Sequence, residues 1–214
     1  MSAQKEIYHK LKKAIISGEL SPGEKLSEVS LAKSLETSRT PIREAFRQLQ
    51  AEGYISLVTN KGAYVSKLPL EEIAEVYNLL GLLEGYAAEL SAQSITTAEL
   101  DTLKRLQWKL RGYAEKKNFR EYMEKNDEFH RMIGLFSANN MLVKTISELR
   151  ARIYRYRLNS IIIPGYMGHY VSDHEKIIEA FGHQDALKAR KHMKGHLQFV
   201  KDILVKFLKT NPGF

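Results

Sequence analysis

A chain of 214 residues with 43% hydrophobic and 27% charged side chains has the composition of a folded globular protein, long enough for one large domain or two small ones. The absence of cysteine excludes disulfides, thiolate nucleophiles and cysteine-based zinc sites, and a net charge of +8 suits an acidic partner such as nucleic acid. No apolar run reaches the length of a membrane span and the start lacks the apolar core of a signal peptide, so the expectation is a cytoplasmic protein with no membrane partner.

The first segment, to about Ser66, reads as three short helices and a β-hairpin. In residues 4–17, Ile7, Leu11, Ala14 and Ile15 recur at helical spacing, and Gly18 ends the helix. "LSPGEKL" then reads as a turn around Pro22 and Gly23. "SEVSLAKSLE" predicts a second helix presenting Val29, Ala32 and Leu35 to one side. A tight connection at Glu36–Thr37 leads into a third helix, from Ser38 or Thr40 to about Glu52, with Pro41 tolerated in its first turn. "YISLV" and "AYVSK" read as strands joined by the turn "TNKG".

On the third helix Ile42, Ala45, Phe46 and Leu49 make one apolar stripe, leaving Arg39, Thr40, Arg43 and Arg47 on a non-core side. Helix, tight turn, second helix with Arg and Thr near its start, then a hairpin: this order is that of a winged helix-turn-helix. There the second helix enters the major groove, and the planar fork of arginine matches the two acceptors of guanine. Lys61 and Gly62 at the hairpin tip are placed to reach phosphate or the minor groove. Residues 4–66, with "SRTPIREA", "EG" and "KGAYV", resemble the DNA-binding domain of GntR-family bacterial transcription regulators. The resemblance implies that Arg39, Thr40 and Arg43 meet operator DNA, with Ser38 near the backbone and Lys61 and Gly62 in the wing. Val29 stands where some members carry an arginine, so operator identity does not carry over.

The second segment carries no strand signal. Ile73, Val76, Leu80, Leu83, Ala87 and Leu90 mark a first long helix; Leu100, Leu103, Leu106 and Leu110 a second; Phe119, Tyr122, Asn126, Phe129, Ile133 and Phe136 a third. Leu142, Ile146, Leu149 and Ile153 mark a fourth, broken by "IIIPG"; Val171, His174, Ile178 and Phe181 a fifth; and Met193, His196, Val200, Ile203 and Phe207 a last. The expected fold is mainly α: a winged helix-turn-helix over 1–67, then an all-α bundle of about six helices over 68–214.

Polar residues interrupt those stripes. Asn126 lies within an apolar series and His130 follows one turn later on the same side. His174 and His196 hold core-type positions on either side of the "GHQD" turn, each about 11 residues from it, or roughly 16 Å along its helix, so an antiparallel pair brings them level. An i,i+4 pair facing two level histidines suits a divalent metal such as Zn, Ni or Mn. His9, His169, His183 and His192 take less inward positions and read as structural or solvated.

"NDEFH" and "DHEKIIEAFGHQDALKARKHMKGHL", within a similarity spanning about residues 70–208, resemble the helical FCD ligand-binding domain of FadR-type GntR regulators. Many members hold a metal through an Asp or Asn, a His four residues on and two further histidines; the resemblance implies Asn126, His130, His174 and His196 here. Asn126 replaces a frequent aspartate, and its neutral oxygen leaves more of the metal's charge uncompensated, favouring an anionic effector; Asp127 is the alternative ligand. Gly81 stands where many relatives place an arginine near the ligand, while Arg150 and Arg157 are candidate carboxylate clamps. The leading expectation is therefore a homodimeric, metabolite-responsive regulator, not an enzyme, binding an inverted-repeat operator and a small carboxylate metabolite. The alternatives are a metal sensor and, less favoured, a metal-dependent hydrolase fused to a DNA-binding head.

Overall fold

The structure is a computed structural model that describes residues 3–59 and 61–211, and it divides into two compact units, 1–69 and 70–214. In the first unit, α1 (Ala3–Ser17), α2 (Glu28–Ser34) and α3 (Arg39–Ala51) accompany β1 (Lys25–Leu26), β2 (Ile55–Val58) and β3 (Gly62–Val65). Ile7, Tyr8, Leu11 and Ile15 of α1 close over Ile42, Ala45, Phe46 and Leu49 of α3, with Leu26, Ile55, Ala63 and Val65 of the sheet completing the core. The Tyr8 hydroxyl and Lys12 both donate to Glu52 just past the end of α3, at 2.7 and 2.6 Å.

The expected hairpin forms, β2 pairing antiparallel with β3, and it gains a third strand. Lys25 and Leu26, read as part of a turn, pair antiparallel with Tyr64 and Ala63, giving a three-stranded sheet of order β1-β3-β2. Burial of Leu26 against the core accounts for this, since a buried backbone must pair its polar groups. Helix α2 also turns a different face inward: Leu31, Ala32 and Leu35 pack on the core, whereas Val29 is 62% exposed. Spacing of i, i+1 and i+4 from Leu31 defines that face, and Val29 lies off it. Asn60 of the expected turn lies outside the described residues.

The second unit holds seven helices among its described residues: α4 (Leu70–Ser94), α5 (Thr97–Glu115), α6 (Phe119–Phe136), α7 (Asn140–Arg152), α8 (Tyr154–Ile162), α9 (Met167–Gly182) and α10 (Ala186–Thr210). Helix starts follow their capping residues. Thr96 and Glu99 form a capping box, Asn139 accepts from Leu142 N at 3.0 Å, and Asp185 accepts from Lys188 N at 3.0 Å. Helices α5, α6 and α9 are followed by non-glycine residues in the left-handed region, Lys117, Ala138 and Gln184, with φ of 53°, 54° and 50°.

One expected helix is two. Ile153 has φ −107° and ψ 10°, ending α7 and starting α8, so Arg150 and Arg157 stand on separate helices. Its fully buried side chain explains how the 142–153 stripe continues across a break that the periodicity does not show. The two 25-residue helices α4 and α10 lie against each other. At Gly85 an added Cβ would sit 3.3 Å from the Arg190 carbonyl oxygen, so the missing side chain permits the close approach.

Candidate functional site

Two groups of polar residues stand out, one on each unit. On α3 the stripe from Ile42 to Leu49 is at most 2% exposed, which fixes the opposite side outward. Ser38, Arg39, Thr40, Arg43 and Arg47 are all exposed. Ser38 occupies the N-cap position without making a side-chain cap bond, so its hydroxyl is not engaged there. At the wing, Lys61 and Gly62 are exposed; Lys61 N donates to Val58 O at 3.0 Å, and Gly62 takes φ +103°.

Sequence reasoning missed a residue on this face. Glu28 Oε2 accepts from Arg39 Nε and Nη2 at 3.2 and 2.9 Å and from Arg43 Nε at 2.8 Å. Partial burial pushes the Glu28 carboxyl up, but the Arg43 and Arg39 guanidiniums outweigh it and hold the group below its usual value. The available signal was an acid at the first position of the helix that a tight turn folds back onto two arginines four residues apart.

In the second unit α6 carries Asn126 and His130, α9 carries His174 and α10 carries His196, all at most 9% exposed. The equal arms of the α9–α10 turn do bring His174 and His196 level, with ring centroids 4.7 Å apart. His130 lies 5.3 Å from the His174 ring and 5.4 Å from the His196 ring. One nitrogen from each of the three falls within 4.8 Å of the others. Two nitrogens bonded to one ion at about 2.1 Å stand no more than about 4.2 Å apart, so an ion would draw the rings slightly inward. Phe129 stacks on His174 with centroids 4.3 Å apart and fixes that ring's plane.

These imidazoles fit a metal. Among the described residues neither nitrogen of His174 has a hydrogen-bond partner, and His196 Nδ1 has only Asp173 Oδ2 at 3.7 Å, beyond hydrogen-bond reach. Leaving such a group unpaired in the interior costs about 1–3 kcal/mol, so these nitrogens await a partner. Burial, then the neighbouring His196, His130 and Arg150, holds His174 far below the usual histidine range, and burial with Arg150 brings His130 to about 3. Both rings are therefore neutral, the form in which histidine ligates divalent ions.

Glu84 of α4 is the second residue that the sequence reading passed over. It is 2% exposed, with Oε2 2.5 Å from His130 Nδ1 and Oε1 2.5 Å from Arg150 Nη1. Burial alone would raise its pKa; the Arg150 charge and His130 outweigh it and hold the carboxyl well below the usual range. Its signal was legible: Glu84 lies one turn beyond Leu80 on the buried side of α4, where Leu83, chosen for the stripe, is only half-buried.

Arg150 and Arg157, read as clamps for an effector, bond to carboxylates of the chain itself. Arg150 reaches both Glu84 and Asp127, and Arg157 bonds to Asp127. Asp127, the alternative metal ligand, is thereby committed to two arginines. Around these groups lies a small cavity of about 30 Å³, whose walls include Asn126, His130, His196, Arg150, Arg157, Tyr77, Tyr122 and Ser160. The buried Tyr122 hydroxyl has no hydrogen-bond partner among the described residues.

Residues 3–65 match the family described as bacterial regulatory proteins of the gntR family, and residues 75–199 match the FCD domain. The HTH-type transcriptional regulator YcbG of Bacillus subtilis (strain 168) is 31% identical over 212 residues, covering 94% of this chain and 90% of the relative. The HTH-type transcriptional repressor RspR of Escherichia coli (strain K12) is 26% identical, covering 98% and 92%. Among solved structures, E. coli McbR/YncC superposes with a TM-score of 0.78 at 24% identity, over 97% of this chain and 99% of that one, which shows a shared fold.

Proposed function

This chain belongs to the gntR family of bacterial regulatory proteins and carries an FCD domain, and from that premise we propose a metabolite-responsive regulator with a metal-assisted effector site. That it is a DNA-binding transcriptional regulator, and not an enzyme, follows from the family and its relatives. No helix among the described residues is long and apolar enough to cross a membrane, and the proposed place of action is the cytoplasm. Arg39, Thr40 and Arg43 read base edges in the major groove, with Ser38 on the backbone and Lys61 and Gly62 in the wing. A homodimer sets two such heads on the halves of an inverted-repeat operator.

The observation that carries the effector reading is the buried trio His130, His174 and His196, in which both His174 nitrogens and His196 Nδ1 lack hydrogen-bond partners among the described residues. Asn126, on the wall of the same cavity, supplies a fourth, neutral donor. Zn, Ni and Mn suit such a set, and the ion's chemistry there is that of a Lewis acid offering an open position to an oxygen ligand. The charge balance favours an anion. Glu84 and Asp127 are offset by Arg150 and Arg157, so neutral ligands leave the charge of a divalent ion uncompensated inside the fold. A small carboxylate metabolite supplies that charge.

The test is operator binding followed by fluorescence anisotropy on a duplex selected from a random library, with metal-loaded protein titrated with di- and tricarboxylates and with their amides. A change in operator affinity of at least about 5-fold with an acid and none with its amide supports the reading, since allosteric couplings span about 5- to 150-fold. Metal alone changing affinity, with no acid doing so, makes the ion the signal instead. No response to any acid by metal-loaded protein contradicts the proposal.

A further inference from the structure

We propose that Glu84 is the positioning residue of the metal centre, holding His130 in the one tautomer that leaves Nε2 bare for an ion. The proposal rests on the metal reading above and adds to it a residue outside the ligand set. Its basis is geometric. Glu84 projects from α4 into a buried layer, where one carboxylate oxygen lies 2.5 Å from His130 Nδ1 of α6 and the other 2.5 Å from Arg150 Nη1 of α7. A carboxylate only accepts hydrogen bonds, so His130 donates from Nδ1, and its remaining ring nitrogen carries the lone pair. In this arrangement a carboxylate fixes the orientation of a ligating imidazole and raises its basicity.

A purely structural ion pair between Glu84 and Arg150 would explain the burial of Glu84 equally well, but not the second contact. Arg150 is a sufficient counter-ion, and it is also bonded to Asp127. The oxygen directed at His130 is the one that a structural pair does not require. Among the described residues, His130 alone of the three histidines receives such a bond: His174 has no partner at either nitrogen and His196 stands 3.7 Å from Asp173. His130 is thus the pre-set member of the trio.

Glu84→Gln tests this, because an amide offers one oxygen where two are in use. Whichever way it turns, either His130 or Arg150 faces a second N–H donor. Zn²⁺ affinity is measured by competition with a fluorescent chelator for the wild type, Glu84→Gln, His130→Ala and the double variant, with far-UV circular dichroism as the fold check. Affinity about 10- to 100-fold weaker in Glu84→Gln, and a double variant no weaker than His130→Ala, is the expected result. Equal affinity in the wild type and a folded Glu84→Gln overturns the proposal and leaves the metal reading standing. A wild type that binds no ion removes the metal reading and this inference with it.

If Glu84→Gln does not fold, long-range ¹H–¹⁵N correlations on zinc-loaded wild-type protein decide. A His130 ring protonated at Nδ1 and zinc-bound through Nε2 supports the assignment. The reverse tautomer overturns it.

Discussion

Arg39 and Arg43 of the first unit and Arg150 and Arg157 of the second are all bonded to carboxylates of this chain, yet their side chains are 53% and 56% exposed in the one case and 10% and 7% in the other. On the surface, such a pair contributes about 0–1 kcal/mol and gives way to a stronger anion. In the proposed function, phosphate or a guanine edge replaces Glu28 as the partner of the two guanidiniums. In the interior, the Glu84–Arg150 pair is locked, because separating either partner leaves a charge without solvent. One unit keeps its arginines ready to exchange partners, and the other uses them to hold a polar core in register.

The sharpest way to break this contrast is to remove a charge from each unit. Arg150→Met leaves Glu84 with His130 alone and is expected to destabilise the protein by about 3–5 kcal/mol in urea titration. Arg43→Ala is expected to change stability by no more than about 1 kcal/mol. It should nonetheless weaken operator binding by about 1–3 kcal/mol, roughly 5- to 150-fold, and relax base preference at one position, read by anisotropy on a panel of duplexes. Large stability losses from both variants would abolish the distinction.

How far each unit was legible in the sequence follows the same division. The stripe Ile42, Ala45, Phe46 and Leu49 predicted both the core and the outward side of α3, because an amphipathic helix on a surface advertises its orientation. The level of His174 and His196 was predictable from the α9–α10 turn, since equal arms on antiparallel helices meet at equal height. The inward position of Glu84 was legible one turn beyond Leu80, but its partners His130 and Arg150 lie 46 and 66 residues away, and no local period reports such pairings. The break at Ile153 was invisible for the opposite reason: the residue is apolar, and burial continues through it. The short strand Lys25–Leu26 owes its pairing to β3, about forty residues later.

A smaller effect sharpens the second half of the comparison. Zn²⁺ at about 100 times its dissociation constant is expected to stabilise the wild type by about 2.7 kcal/mol, with the thermal midpoint rising accordingly. His174→Ala is expected to show no such response in the same scan. A metal-dependent rise in that variant would place the ion elsewhere. Smallest of all is Glu28→Gln. It should alter stability by less than about 1 kcal/mol while strengthening binding to non-specific duplex at low salt, because an anion leaves the DNA-facing side. Weaker non-specific binding would show Glu28 to be needed for holding Arg39 and Arg43 in place.

The central claim, that the buried polar layer of the second unit is a metal centre, is tested most directly by elemental analysis of untagged protein purified from metal-replete cells, beside His174→Ala and His196→Ala. The account predicts about one transition-metal ion per chain in the wild type and loss of that ion in both variants. Metal-free wild-type protein, or equal metal content in all three, would contradict it.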